Sequence, residues 1–262
     1  MTAGTAIVAG HLDDPPVAAA WAAVERLGAP ARFVDLARPV PELDWADVAG
    51  VYLRAFGAAD PLGARTLRAE AEATPSSVRV VNRRGPAAAL PKPAQTAHIE
   101  AAGFGVPQRL LTTDPGAARA FVQRHKTVVV TSTSAVRSIV RFASVDEDFS
   151  RVTWCPTQLQ AFVPGVSYRA HVVGERVFAH EVSADDGDRA RGSVTPAELP
   201  SAVAERCVAL SRGLGLELAG LDLRHTPDDR WVCFEASTSP VWTAYDLDGT
   251  IADALARHLA GF

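Results

Sequence analysis

The chain has 262 residues, 48% hydrophobic and 21% charged, proportions that belong to a folded chain and exclude a disordered one. A formal net charge of −4 lacks the concentrated basic surface that nucleic acid requires, and no apolar run approaches the ~18 residues of a membrane span. The three cysteines have no CxxC spacing and Met1-Thr2-Ala3-Gly4 opens no export signal, so neither disulfides nor zinc are expected and a cytoplasmic location is.

The first third alternates strand and helix. Ala6-Ile7-Val8-Ala9 reads as a short buried strand ending at Gly10-His11. An alanine-rich helix over 17–27 follows, with Asp13 or Asp14 near its N-cap and Pro15 and Pro16 in its first turn. Strands are expected at 32–35, 50–54 and 78–81, with a helix over 64–73 before the last of these. This alternation predicts a parallel sheet with helical cover. Residues 83–91, rich in Gly, Pro and Ala, read as a linker. Then come a helix over 93–103, a strand at 109–112, and a helix over 116–124 capped by Thr113 or Asp114. Further strands are expected at 127–131, 157–162, 168–173 and 176–182, the last two joined at Gly174-Glu175 as a hairpin. Helices over 199–213 and 250–259 flank a strand at 217–224.

The chemistry concentrates between Leu221 and Trp242. Thr226-Pro227-Asp228-Asp229 is a turn signature. If Pro227 pairs with Arg230, Asp222 lies directly opposite Glu235, and a shift by two residues keeps both carboxylates on one face because the side-chain period is two. Leu221, Leu223, Val232 and Phe234 then form the apolar underside. Two like charges across a ladder repel. A shared proton, a neighbouring arginine (Arg224 or Arg169) or a divalent cation would each relieve them. Mg²⁺ suits such a pair, since one or two carboxylates plus substrate phosphates commonly hold it.

These residues carry a resemblance. Leu218-Ala219-Gly220-Leu221-Asp222-Leu223-Arg224, followed by Trp231-Val232-Cys233-Phe234-Glu235-Ala236-Ser237, is similar to the closing metal hairpin of ATP-grasp ligases of the RimK-like group. Lys92-Pro93-Ala94-Gln95 with Ala102-Gly103-Phe104-Gly105-Val106-Pro107 resembles that family's entry helix and strand lead-in. Gln158-Leu159-Gln160-Ala161-Phe162-Val163-Pro164-Gly165 resembles its adenine hinge, with Tyr168 to Gly174 as the strand after it. The resemblance implies an α/β ATP-grasp fold: a pre-ATP-grasp β-α-β domain (1–88), then two ATP-grasp subdomains (89–156 and 157–262) around a nucleotide cleft. It implies ATP and Mg²⁺, with Asp222, Glu235 and Ser237 on the metal and Lys92 on the phosphates. Gln160, Phe162 and Val163 would line the adenine pocket, and Arg169 would meet phosphate or acyl-phosphate. The implied reaction is carboxylate activation by ATP and amide formation with an amine, on a small molecule or peptide.

Five positions depart from the family pattern. Lysine stands only at positions 92 and 126, and Thr131 occupies the place of the phosphate-gripping lysine. Lys126 lies five residues upstream, about 16 Å along a strand and on its opposite face. Ser237 and Thr238 replace Asn and Pro, Ala161 replaces an acidic hinge residue, and Ser167 replaces an Asp. The loop Ser132-Thr133-Ser134-Ala135-Val136-Arg137-Ser138 could cradle phosphates through backbone N–H groups of Ser132 and Ser134, with Arg137 as a catalytic substitute charge. His11 and Arg54, at C-terminal ends of expected parallel strands, are substrate-contact candidates. His171 and His180 face either the cleft or a sheet interior, Trp242 and Tyr245 are expected to pack the final helix, and the cysteines to be structural. A ligase is the leading expectation, a scaffold that binds without ligating the alternative, and a homo-oligomer is left open.

Overall fold

The computed structural model describes residues 4–83, 92–131, 141–183 and 193–262, with only the backbone of Lys92 and Pro93. Its first sheet is parallel, in the order β2-β1-β3-β4, from strands β1 (Thr5–Gly10), β2 (Ala31–Asp35), β3 (Val48–Leu53) and β4 (Arg79–Val81). Alternation along β1 decides its cover. Ala6 and Val8 pack with helix α1 (Pro15–Leu27) and the C-terminal α6 (Thr250–Ala260), while Ile7 and Ala9 pack with α2 (Pro61–Ala73). Both helix starts place proline in the first turn after an aspartate, where a missing N–H costs nothing.

The second sheet, antiparallel in the order β5-β8-β6-β7, contains β5 (Arg109–Thr112), β6 (Val128–Thr131), β7 (Arg141–Ala143) and β8 (Thr157–Ala161). Helix α4 (Pro115–His125) buries Ala118 and Val122 against Val128, Ala143 and Leu159. The expected helix over 93–103 is a 3₁₀ turn at Lys92–Gln95 and a short α3 (Thr96–Ala101), stopped before Gly103 at φ 85°. Lys126 is the exposed C-cap of α4 with φ 61°, so it stands in a turn and not on the strand.

The third sheet, order β11-β10-β9-β12-β13, comprises β9 (Val166–Val173), β10 (Arg176–Val182), β11 (Val194–Ala197), β12 (Leu218–His225) and β13 (Trp231–Ser237). Helix α5 (Ser201–Gly213) covers one face through Val203, Cys207 and Leu210, packed on Ala170, Val172, Leu221, Leu223 and Cys233. Strands β7 and β11, three and four residues long, escape the sequence reading. β11 also carries Pro196, which only an edge strand tolerates.

The chain closes on itself. Trp242, fully buried, donates from Nε1 to the Tyr52 hydroxyl at 3.2 Å and joins the core of α1 and α6, as its expected packing against the final helix required. Among the described residues no helix is long and apolar enough to cross a membrane.

Candidate functional site

The face of the third sheet away from α5 carries a polar row one residue wide. His180, Arg169, Asp222 and Glu235 are paired in succession across β10, β9, β12 and β13, so their side chains share one face. The next rung holds Phe178, His171, Gly220 and Ser237. Asp222 therefore faces Glu235, as the hairpin register requires, and Ser237 lies two residues beyond Glu235 on the same side.

The turn reaches that register by an unexpected route. Thr226, not Pro227, pairs with Arg230: its N–H donates to the Arg230 carbonyl at 2.9 Å, and Asp229 takes φ 60°. Leu223 then pairs with Cys233, and a bulge between Asp222 and Leu223 absorbs Phe234 before Asp222 meets Glu235. A bulge sets two residues against one and re-aims their side chains. Phe234 accordingly leaves the underside, where it was expected, and sits under the Arg224 guanidinium at 5.4 Å from the ring centroid. Cys233 takes its place in the core beside Leu221 and Leu223.

An arginine relieves the carboxylate pair in this structure. Arg169 Nη1 donates to Asp222 Oδ1 at 2.5 Å. Burial works against the guanidinium charge, yet Asp222, Tyr245 and Glu235 outweigh it and hold Arg169 above its ordinary range. Gly220 makes room for it: a Cβ there would lie 2.6 Å from Arg169 Nη2 and 2.8 Å from the Pro240 Cβ. His171 is fully buried beside Arg169, its ring 5.0 Å from Tyr245. Burial, with Arg169 and His180 adding repulsion, pulls its imidazole well below the ordinary range. His180, also under Tyr245 at 5.8 Å, is lowered by burial against the opposing pull of Asp248 and Asp246.

The second sheet presents its own polar face. Arg109, Gln160, Val129 and Phe142 form one rung, and Leu111, Gln158 and Thr131 the next. Gln158 Nε2 donates to Thr131 Oγ1 at 2.9 Å, so a neutral hydroxyl–amide pair stands where the family has a lysine. Gln160 Oε1 accepts from Arg109 Nε at 3.2 Å. The Phe162 N–H donates to the Thr127 carbonyl, and the Val163 carbonyl accepts from Arg224 Nη1 at 2.6 Å. Phe162, 41% exposed, lies 6.0 Å from Phe142 and 5.6 Å beneath Arg224. The two faces meet where Arg224 reaches the hinge and where Arg109 Nη2 donates to the Phe234 carbonyl.

The remaining candidates fall elsewhere. Arg54, 6% exposed, is consumed inside the fold by Asp14 at 2.7 Å and the Pro240 carbonyl at 3.3 Å. That ion pair takes the Asp14 carboxylate that was expected to cap α1. His11 follows β1, on the first sheet, and is half-buried. Ser132, Ser134 and Arg137 and the Lys92 side chain lie outside the described residues. Cys207 and Cys233 are buried and Cys155 is exposed. Arg109, Gln158 and Phe142 were not singled out from the sequence as site residues, and Arg224, expected there as a possible partner of the carboxylates, donates to the Val163 carbonyl. The period-two alternation of the hinge strand could have flagged Gln158 beside Gln160.

Among the described residues no three His, Cys, Asp or Glu side chains converge as a protein-only metal cage. Two carboxylates and one hydroxyl on a shared face are hard oxygen donors, and Mg²⁺ is ordinarily held by such a pair completed by phosphates and water. The donor set fits that ion.

No family model matches the chain, and no curated protein matches it in sequence. Solved structures do match over nearly the whole chain. A RiPP-associated ATP-grasp ligase of Chryseobacterium gregarium, solved with ADP and a leader and core peptide, is 18% identical; the match covers 98% of this chain and 97% of that one with TM-score 0.77. The macrocyclase MdnC of Microcystis aeruginosa, bound with precursor peptide MdnA, is 17% identical over 98% and 100%, TM-score 0.77. The ATP-grasp ligase PsnB, complexed with minimal precursor, Mg and ADP, is 22% identical over 97% and 97%, TM-score 0.76. The chain has the ATP-grasp fold.

Proposed function

We propose that the chain is an ATP-dependent ligase that joins a peptide carboxylate to an amine through an acyl-phosphate. The observation that carries this reading is the Asp222–Glu235 pair, set directly across β12 and β13 on the face that meets the hinge strand. Support for a peptide as substrate comes from relatives of the same fold, matched along nearly their full length, that hold precursor or leader and core peptides. In this reading the parts 1–88, 89–156 and 157–262 are the RimK-like division, with β8 as the hinge strand paired into the middle part.

The chain's own residues then take these roles. Phe162 and Phe142 offer an aromatic wall for adenine beside Gln160 and Val163. Asp222, Glu235 and Ser237 would hold Mg²⁺, which when bound neutralises phosphate oxygens and the charge that develops in phosphoryl transfer. Arg169 keeps Asp222 in place and supplies a fixed cation at the reacting end of the cleft. The γ-phosphoryl group of ATP passes to the carboxylate with release of ADP. The amine then attacks the acyl carbon, loses a proton to solvent, and phosphate departs. At Thr131 the missing lysine charge weakens nucleotide binding by about ten- to a hundred-fold.

The test is ADP formation by the purified chain with ATP, Mg²⁺ and peptides rich in carboxylate and amine side chains. ADP should appear only with peptide and Mg²⁺ present, and Glu235→Gln should lower it by at least about a hundred-fold. Nucleotide and peptide binding without ADP formation would support instead a scaffold that binds without ligating.

A further inference from the structure

Strand β13 is the last strand of its sheet, and an edge strand leaves a row of backbone groups without ladder partners. Here that edge is sealed by the segment preceding and entering the second sheet. The Gly105 N–H donates to the Trp231 carbonyl and the Cys233 N–H to the Gly105 carbonyl, both at 2.9 Å. Further along, the Gln95 amide closes a two-bond ring with Ala236: Nε2 donates to its carbonyl and Oε1 accepts from its N–H, both at 3.1 Å. Between these two seals lies the bulge residue Phe234, whose carbonyl receives Arg109 Nη2 at 2.5 Å.

The same guanidinium spreads to two other elements. Nε donates to Gln160 Oε1 at 3.2 Å on the hinge strand, and Nη1 to Thr96 Oγ1 at 3.4 Å at the start of α3. Three acceptors on three elements thus converge on one planar fork, a geometry that a lysine ammonium cannot reproduce from a single point. A neutral amide would satisfy one carbonyl at less desolvation cost.

We propose that Arg109 is a positioning residue that braces the bulge carrying Glu235 against the adenine hinge, so that a seated nucleotide and a correctly held metal carboxylate support each other. This rests on the reading of Asp222 and Glu235 as Mg²⁺ ligands. Gln160 is the near end of the brace and the Phe234 carbonyl the far end, one residue from the carboxylate.

The experiment is calorimetric titration of ADP into the full chain with and without saturating Mg²⁺. Binding by the wild-type chain should tighten with Mg²⁺. Arg109→Ala should keep Mg²⁺-free ADP affinity within about threefold and lose about tenfold of the Mg²⁺ enhancement, the scale seen when a residue supporting a metal ligand is removed. Arg109→Lys, which keeps the charge and decides the matter if the alanine variant does not fold, should lose at least about threefold of it. Thr96→Val removes only the longest contact and should retain the wild-type enhancement. A wild-type chain without Mg²⁺ enhancement overturns the metal-site reading and this proposal with it. Full enhancement in Arg109→Ala or Arg109→Lys overturns the proposal alone, as does an equal loss in Thr96→Val.

Discussion

Asp222 and Arg169 show how a charged pair is held in a sheet. Each sits on a central strand, they are direct cross-strand partners, and Gly220 clears the surface on which the guanidinium lies. Breaking such a buried pair from one side is costly because the other charge is left unpartnered. His171 beside it gives the clearest pH signature. The unfolded chain protonates this imidazole near the ordinary value of 6.5, whereas burial holds the folded one well below it. The unfolded state therefore binds more protons in that window, and stability falls as pH drops from 6.5 toward the folded value, by up to about 1.4 kcal/mol per pH unit. Urea midpoints between pH 7 and 5 should show this slope, and His171→Met should reduce it to the part that His180, also lowered by burial, contributes. Arg169, His180 and Tyr245, which face the ring, remain in both proteins, so the difference isolates His171. An unchanged slope would contradict the assignment.

At the scale of elements, the carboxylate hairpin is the most informative unit. Its turn alone pairs Leu223 with Cys233, and the bulge restores Asp222 opposite Glu235. Parity explains why the sequence reading still placed both carboxylates on one face: one wrong step at the turn and one inserted residue cancel. Phe234 and Val232 did not survive that cancellation, Val232 pairing with Arg224 on the other face, because a bulge leaves no mark in alternation when the inserted residue is as apolar as its neighbours. The turn itself is testable. Asp229 is held at φ 60° with its side chain almost wholly exposed, a backbone that costs an L-residue about 1–2 kcal/mol and a β-branched one more. Asp229→Val should lower stability by about that much while Asp229→Gly stays within about 0.5 kcal/mol of the wild type, read from urea midpoints at constant slope. Equal effects of the two would mean that the side-chain link to His225 matters and not the backbone.

Across the whole molecule, one side chain ties the first sheet to the third through four hydrogen bonds, beside the core that they share. Asn82, just after β4, donates to the Leu218 and Thr238 carbonyls at 2.6 and 2.7 Å, and its Oδ1 accepts from the Glu217 and Leu218 N–H groups at 2.9 and 2.8 Å. Every hydrogen-bonding position of the amide is used. Asn82→Leu should destabilise the protein by on the order of 3 kcal/mol, since four part-buried backbone groups lose partners at about 0.5–1.5 kcal/mol each. Urea unfolding followed by fluorescence and circular dichroism should show that shift as a single transition. Two separated transitions would show that the sheets unfold independently.

Most of the fold was legible because its strands are buried runs and its helices alanine-rich and proline-started, both local signals. Arg54 was misjudged for the opposite reason. Its partner Asp14 and the Pro240 carbonyl are brought to it only by the closing of the chain, which no local pattern records. Arg109 escaped likewise, since its importance lies in a carbonyl 125 residues away. Asp222 and Glu235 are proposed to hold a divalent ion together with nucleotide. Crystals soaked with Mn²⁺ and a non-hydrolysable ATP analogue test it most directly. An anomalous peak should appear beside both carboxylates with the analogue bound, and be absent in Glu235→Gln. A bound analogue with no ion at these carboxylates, and Arg169 still alone on Asp222, would contradict it.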